Sequence, residues 1–177
     1  AITMDYRYGE GSDYNGPVIG GFNVLENTGL NILTNIYSGS PYSRQTFITG
    51  EGLFNPLNSG TDGTRNGSRL PWSYRLDLQL DRTINLEVGK DDDKKKVLFF
   101  NVYLRVTNIL NQQNILGVYR ATGNWDDDGY LEAANSQTSI QNQVDEQSFR
   151  DYYTMKVQNN FNISAPRTIR LGVKFDF

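Results

Sequence analysis

Apolar and polar side chains alternate along WSYRLDLQLDRTINLEV, from Trp72 to Val88. The apolar set comprises Trp72, Tyr74, Leu76, Leu78, Leu80, Ile84, Leu86 and Val88, and Arg82 is the one break in it. A period of two predicts a β-strand with one apolar face and one wet face. At about 3.3 Å per residue this strand extends roughly 55 Å, whereas strands of soluble proteins typically run about 5 or 6 residues. It is long enough to cross a bilayer at a tilt and to protrude beyond it.

Three other stretches show the same alternation and predict further strands. In VLFFNVYLRVTNIL the apolar positions are Leu98, Phe100, Val102, Leu104 and Val106. In RTIRLGVKFDF they are Ile169, Leu171, Val173, Phe175 and Phe177. The stretch TGLNILTNIYSGSPYSR, from Thr28, repeats the pattern less regularly. The sequence thus predicts strands at about 28–40, 72–88, 96–110 and 167–177, with partial strands at the start and at Tyr152 to Ile163.

The connections between these predicted strands differ greatly in length. Residues 45–70 and 111–166 form long loops, whereas the charged turn GKDDDKKK at 89–96 is short. Long loops at one end of a meander and short turns at the other are typical of outer-membrane barrels. Two membrane girdles would also place aromatic residues near both strand ends, although β-sheets favour aromatics in any setting. The aromatics are Tyr37, Tyr42, Trp72 and Tyr74 near the long loops, and Phe99, Phe100, Phe175 and Phe177 near the short turn.

These features predict an all-β chain that forms a segment of an antiparallel transmembrane β-barrel with long extracellular loops. Single-chain bacterial barrels begin at about 8 strands, and this sequence supplies only a few clear ones. The segment is therefore expected to be part of a larger barrel.

Polar positions on the two longest strands are expected to face the barrel interior, because lipid cannot solvate them. Contact with a plug or with water is their expected role, and substrate contact near the long loops stays open. The predicted lumen-facing residues are Arg75, Asp77, Gln79, Asp81, Asn101, Tyr103 and Arg105, with Thr107 beside them.

The composition excludes several classes of function. There is no Cys and no His, so disulfides, thiolate or imidazole metal sites and Ser-His or Cys-His nucleophiles are excluded within this sequence. The net charge is -3 and the one basic cluster is Lys94 to Lys96, so the footprint of a nucleic-acid binder is missing. The sequence contains no run of about 18 apolar residues, so no transmembrane helix is predicted. We expect neither an enzyme nor a bound cofactor.

Two charged segments each allow a functional and a simpler interpretation. NWDDDGYLE presents Asp126, Asp128 and Glu132 around Gly129, as a calcium loop would, but the EF-hand pattern is absent. We favour a solvated loop there. DDDKKK, Asp91 to Lys96, would suit a periplasmic partner. We favour a charged turn, whose opposite charges contribute about 0 to 1 kcal/mol.

Six short blocks, taken in order, resemble the C-terminal end of a TonB-dependent outer-membrane receptor of the SusC-like or Oar-like kind. They are YRYGEGSDYNGPV, SGSPYSRQ, NGSRLPWSYRLDLQLDRTINL, NVYLRVTNILNQQNI, VYRATGNWDDDGYL and SAPRTIRLGVKFDF. The block that ends at Asn108 to Asn111 resembles the penultimate strand of that family, and Pro166 to Phe177 resembles its last strand. The blocks span nearly the whole sequence.

The resemblance implies a barrel of about 22 strands with an N-terminal plug, in the outer membrane of a Gram-negative bacterium. It implies energised import of a bulky nutrient such as an oligosaccharide, a peptide or a chelate. The implied partners are the rest of the barrel and its plug, outer-membrane lipid, the outer-membrane assembly machinery, the TonB complex and a surface lipoprotein lid. The sequence contains no candidate plug or TonB box, so we expect it to supply closing strands and extracellular loops.

The same resemblance gives the last strand a second role. Its alternating residues, Ile169, Leu171, Val173, Phe175 and Phe177, resemble the signal that the assembly machinery reads. An unpaired edge strand of this kind is suited to pairing with another strand before a barrel closes.

A soluble all-β carbohydrate-binding module is the alternative. The polar composition and the loops rich in Asn, Tyr and Trp support it. Strand length, and the lack of enough short strands for an opposing sheet, count against it. The barrel predicts aggregation without detergent, and the module predicts a monodisperse protein in plain buffer.

Overall fold

The computed structural model describes residues 1–48, 60–88 and 96–176 of the chain. They form a mostly β structure with antiparallel sheets, as the alternation predicts. The strands are β1 (Ile2–Arg7), β2 (Val18–Ile19), β3 (Phe22–Asn23), β4 (Thr28–Tyr37), β5 (Pro41–Tyr42), β6 (Arg44–Gln45), β7 (Thr61–Asp62), β8 (Ser68–Arg69), β9 (Ser73–Val88), β10 (Lys96–Thr107) and β11 (Thr168–Asp176). The helices are α1 (Gln137–Gln141) and α2 (Glu146–Val157), with 3-10 turns at Gly11–Asp13, Ala134–Ser136 and Asn160–Asn162.

The chain divides into two compact units. The sheet unit comprises Ala1–Ile36, Tyr74–Gln112 and Ala165–Phe177. The connection unit comprises Tyr37–Ser73 and Gln113–Ser164. The connection unit is therefore built mainly from the two long segments, 45–70 and 111–166, that the sequence predicts as loops.

One five-stranded sheet, in the order β1-β4-β9-β10-β11, makes up most of the sheet unit. The β1–β4, β9–β10 and β10–β11 pairs are antiparallel. Residues 89–95 connect β9 to β10, and the charged turn predicted there lies outside the described residues, as do residues 49–59 and Phe177. The sheet is open, with β1 and β11 at its edges, and the described residues form no closed barrel.

The strand bounds lie close to those expected, with one clear error. The structure has strands at Thr28–Tyr37, Ser73–Val88, Lys96–Thr107 and Thr168–Asp176, and β1 occupies the start of the chain. The partial strand expected at Tyr152 to Ile163 is wrong, because α2 covers its first half and the 3-10 turn Asn160–Asn162 lies in its second half. Phe149, Tyr153 and Val157 recur every four residues, which is a helical spacing. Asp145 caps this helix by accepting a hydrogen bond from the Ser148 N–H.

Hydrogen bonds between side chains and backbone hold the connection unit together. Its buried hydrophobic residues within the described ranges are Ile140 and Val157. The Arg150 guanidinium donates to the Leu131 carbonyl and to Gln137 Oε1 at 3.3 and 3.2 Å. The Tyr119 hydroxyl donates to the Val157 carbonyl at 2.8 Å. This segment therefore has a packed structure of its own. No helix among the described residues is both long and apolar enough to cross a membrane.

Candidate functional site: the two faces of the sheet

The register of the sheet collects the apolar side chains on one face. Leu104 on β10 pairs with Leu80 on β9 and with Leu171 on β11. Two rows further along the same face, Phe100 pairs with Phe175, and the two ring centroids are 4.7 Å apart. Because alternate residues of a strand share a face, these pairs define an apolar surface across three strands, interrupted on β9 by Arg82, which pairs with Val102. Met4 opposite Ile32 and Tyr6 opposite Leu30 form the same kind of surface on β1 and β4.

This apolar face is exposed. Leu171, Ile169 and Met4 are 75%, 64% and 64% exposed, and Leu80 is 41% exposed. The only buried hydrophobic residues in the described parts of the chain, Ile140 and Val157, belong to the connection unit. No core of described residues therefore lies behind the apolar face of the sheet. A contiguous apolar surface of this kind marks contact with lipid or with another macromolecule.

The opposite face carries a hydrogen-bonded polar network. Arg75 binds Asp77 on the same strand, with Nη2 at 2.7 Å from Oδ2. Arg105 on β10 donates to Gln79 Oε1 on β9 through Nη2 at 2.7 Å and Nε at 3.0 Å. Further contacts on this face join Asn101 to Thr83, Asn31 to Asp5, and the Lys174 ammonium to the Tyr103 ring. Every residue predicted to face a lumen lies on this polar face.

An ion pair on the polar face joins β1 to β9 across β4. Arg7 on β1 reaches Asp81 on β9, with Nη1 at 3.2 Å from Oδ2. Its guanidinium crosses β4 at Gly29, the residue opposite Arg7 in the β1–β4 register. A Cβ at Gly29 would lie 2.6 Å from Arg7 Nη2 and 3.2 Å from Asp81 Oδ1. The absence of a side chain at Gly29 therefore allows the Arg7–Asp81 pair to form across β4.

A shallow cleft of about 250 Å³ opens on this polar face. Its lining includes the Arg75–Asp77 pair and the Arg105–Gln79 pair, together with Asn31. The two guanidinium groups already bind acceptors of the sheet, so the cleft presents hydrogen-bonded charges to whatever occupies it. Such a surface suits water or a polar protein segment.

Asn108 ends β10 and ties it to the start of β11. Its backbone adopts a left-handed conformation with φ of 54°, and the residue is 3% exposed. Its Nδ2 donates to the Gln112 carbonyl at 3.0 Å and to the Ala165 carbonyl at 3.1 Å, and its N–H donates to Asp77 Oδ1 at 2.9 Å. Asn111, with φ of 50°, accepts the Arg167 N–H at 2.9 Å. These bonds explain the two asparagines of the NILN block.

The girdle prediction is wrong for Phe99. Phe99 and Phe100 are consecutive in β10, so the alternation of a strand sends them to opposite faces. Phe100 pairs with Phe175 on the apolar face, whereas Phe99 shares the polar face with Asn101. On β11 the predicted assembly residues Ile169, Leu171, Val173 and Phe175 lie on the apolar face, and Phe177 lies outside the described residues.

The acidic segment around Gly129 is not the solvated loop that we expected. Asp128 is 7% exposed, and its two oxygens accept the Tyr130 N–H at 3.0 Å and the Tyr153 hydroxyl at 2.7 Å. Asp127 accepts the Gly129 N–H at 2.8 Å. Hydrogen bonds therefore recruit Asp128 into the interior of the connection unit. Across the described ranges, no three Asp or Glu side chains gather as a metal-ion site.

Sequence reasoning missed Arg7, Gly29 and the buried role of Asn108. A glycine inside an otherwise alternating strand was the available signal for Gly29, because such a glycine often marks a close approach. The repeated asparagine in NILNQQN was the signal for the turn, since Asn tolerates a left-handed backbone.

No family model, no curated protein and no solved structure matches this chain.

Proposed function

We propose that this chain is the closing part of the β-barrel of a TonB-dependent outer-membrane receptor. In this proposal the apolar face of the sheet contacts lipid and the polar face lines the barrel interior. The observation that carries it is the exposed apolar face set against a hydrogen-bonded polar face on the same strands. Lipid is the environment in which an uncovered apolar face of this kind is favourable.

Strand length supports a membrane-spanning role. A transmembrane strand needs about 9 to 11 residues. Strands β4, β9, β10 and β11 contain 10, 16, 12 and 9 residues. Strand β1 has 6 and lies at one edge of the sheet, where further pairing with the rest of a barrel is expected.

The polar network on the sheet supports a barrel interior that is occupied by the plug and water. Arg7–Asp81, Arg75–Asp77 and Arg105–Gln79 fix charged side chains on one face. In the barrel this face would meet the plug and water. Energised import of a bulky nutrient is the role that the resemblance adds, with the TonB complex as the source of energy.

Site-directed spin labelling tests the environment of each face. The sequence has no cysteine, so single substitutions give unique labels. Leu171→Cys and Leu104→Cys report the apolar face, and Arg170→Cys and Arg105→Cys are matched neighbours on the polar face. The receptor is reconstituted in liposomes, and the electron paramagnetic resonance spectrum of each label is recorded. We expect oxygen, which concentrates in lipid, to broaden the spectra of the first two labels and to leave those of the second two unchanged.

Equal access of a water-soluble nickel reagent to all four labels would overturn the membrane assignment and favour the soluble module. The transport role has a separate test. Nutrient uptake by cells that carry the complete receptor should stop when an uncoupler discharges the proton gradient.

A further inference from the structure

The connection unit contains a second cleft, lined by four aromatic rings and one lysine. They are Tyr130, Phe149, Tyr152, Tyr153 and Lys156, and the cleft encloses about 270 Å³. Four of the five residues lie on α2, where Phe149, Tyr153 and Lys156 are three or four residues apart. One or two fused aromatic rings would fit a space of this size. The cleft shares no residue with the network on the sheet.

Three of the rings are fixed in place. The Tyr130 and Tyr153 rings are stacked, with centroids 4.9 Å apart, and Phe149 lies 5.8 Å from Tyr153. The Tyr153 hydroxyl donates to the buried Asp128, whose other oxygen holds the Tyr130 N–H. A site whose walls are already ordered loses less entropy when a ligand binds. This part of the cleft is therefore preorganised.

The outer wall is open and positively charged. Tyr152 is 73% exposed, and Lys156 is also exposed. Among the described residues Lys156 forms no ion pair. The neighbouring charges are engaged elsewhere, because Arg150 binds Glu146 and Asp151 accepts from Gln147. The ammonium of Lys156 is thus the charge that the cleft offers to a ligand.

We propose that this cleft binds a planar aromatic carboxylate. The flat ring would stack against the tyrosine and phenylalanine rings, and the carboxylate would pair with the Lys156 ammonium. A quaternary ammonium ligand would also stack on aromatic rings, but Lys156 would repel it. A saccharide needs several polar partners around its ring. Here the Tyr153 hydroxyl already donates to Asp128, which leaves the Tyr130 and Tyr152 hydroxyls and the Lys156 ammonium as the other side-chain polar groups of the cleft.

Calorimetric titration of the full chain in detergent micelles tests the proposal, with the same titration into empty micelles subtracted. The probe is 2-naphthoate, and 2-naphthamide is its neutral match. We expect saturable binding of naphthoate, about tenfold tighter than that of the amide. Lys156→Gln should remove this preference while both compounds still bind. Tyr152→Ala should weaken both, and Lys174→Gln, on the sheet, should change neither.

Equal affinity for the two compounds, or a naphthoate affinity that Lys156→Gln leaves unchanged, would overturn the proposal. So would tighter binding of glucuronate, which would assign the cleft to saccharides. Circular dichroism of each variant checks that α2 is still folded. These outcomes do not depend on whether the sheet lies in lipid, so failure here is separable from failure of the membrane proposal.

Discussion

Single side chains decide how the sheet and the connection unit hold together. Arg7 and Asp81 form a pair only because Gly29 leaves the space between them empty. Asp128 is buried only because Tyr153 and Tyr130 supply its hydrogen bonds. In both places a charged group is fixed by a neighbour that is distant in sequence. The loss of that neighbour leaves a poorly solvated carboxylate.

Gly29→Ala should break the Arg7–Asp81 pair. The added methyl group would occupy the path of the guanidinium, which must then leave Asp81. We expect a loss of about 1–3 kcal/mol in the free energy of unfolding, measured by urea denaturation of the folded chain. In a chain that already carries Arg7→Ala the same change should cost far less. Equal costs in the two backgrounds would show that Gly29 does not serve the ion pair.

The contribution of Tyr153 to the stability of the connection unit should decrease at alkaline pH. Burial raises the pKa of the Tyr153 hydroxyl above its ordinary value near 10, and the hydrogen bond to Asp128 raises it further. Because the folded state favours the protonated phenol, this contribution is complete below about pH 10 and is lost as the pH rises above it. The pKa values of Tyr8 and Tyr119 are also raised, though less than that of Tyr153. Ultraviolet titration should therefore show several late tyrosines among the 11, and Tyr153→Phe should remove the latest of them.

Tyr153→Phe also separates the hydrogen bond to Asp128 from the ionisation of the phenol. At neutral pH Tyr153→Phe leaves one Asp128 oxygen without its donor and should lower stability by about 1–3 kcal/mol. Above pH 10 its stability should change less steeply than that of the wild type. A parallel pH dependence in the two proteins would contradict the assignment of the latest tyrosine to Tyr153.

At the scale of elements, the pairing of β10 with β11 is the unusual part of the sheet. Strands β10 and β11 are paired from Thr107–Thr168 to Phe99–Asp176, although the whole of 108–167 separates them in sequence. Asn108 and Asn111 bond directly to Ala165 and Arg167 at the point where the two strands meet. These bonds fix the register of the pair at the strand ends. The antiparallel contacts continue into the connecting segment, where Ile115 pairs with Ile163 and the Leu116 N–H donates to the Asn162 carbonyl at 2.7 Å.

Substitutions at Asn108 should separate its backbone role from its side-chain role. Asn108→Gly keeps the left-handed backbone but removes the bonds to Gln112 and Ala165, which should cost about 1–3 kcal/mol. Asn108→Ala adds about 1–2 kcal/mol of left-handed backbone strain. We therefore expect stability to fall from wild type to Asn108→Gly to Asn108→Ala in urea denaturation. If the two variants are equally stable, the conformation of the backbone at Asn108 is unimportant.

The strands were predictable because their signal is local. Alternation in Ser73–Val88 and in Lys96–Thr107 follows directly from the different surroundings of the two faces. The helix at Glu146–Val157 also left a local signal, the spacing of Phe149, Tyr153 and Val157, but this signal is weak because polar residues fill most of the other positions. The Asn108 contacts join residues 57 apart, and no local pattern reports them.

At the scale of the whole molecule, the two faces of the sheet differ in chemistry, and the proposed membrane location gives each face a different environment. Leu171 is 75% exposed and lies on edge strand β11, so a protein in water should tolerate a charge there. In a bilayer the same position would place that charge in hydrocarbon. The cost of a charge at Leu171 is thus a measure of its surroundings.

Leu171→Arg should therefore lower the stability of the lipid-folded protein by about 2–4 kcal/mol. In a soluble module the change should stay within about 0.5 kcal/mol. Thr107→Arg, on the polar face, is the matched control and should be tolerated in lipid. Urea denaturation in liposomes measures all three proteins, and a neutral Leu171→Arg would place the apolar face in water.

The asparagine turn also has a consequence for how this protein can vary. Asn108, Asn111 and the backbone bonds as far as Gly117 and Asn162 fasten the two strand ends to each other, so residues 118–161 should be free to change in length and chemistry while β10 and β11 stay paired. Different segments can then be inserted at this position of the sheet. Replacement of 118–161 by a short flexible linker should leave the β10–β11 register intact. Related proteins could then differ in the ligands that this segment binds while the sheet stays the same.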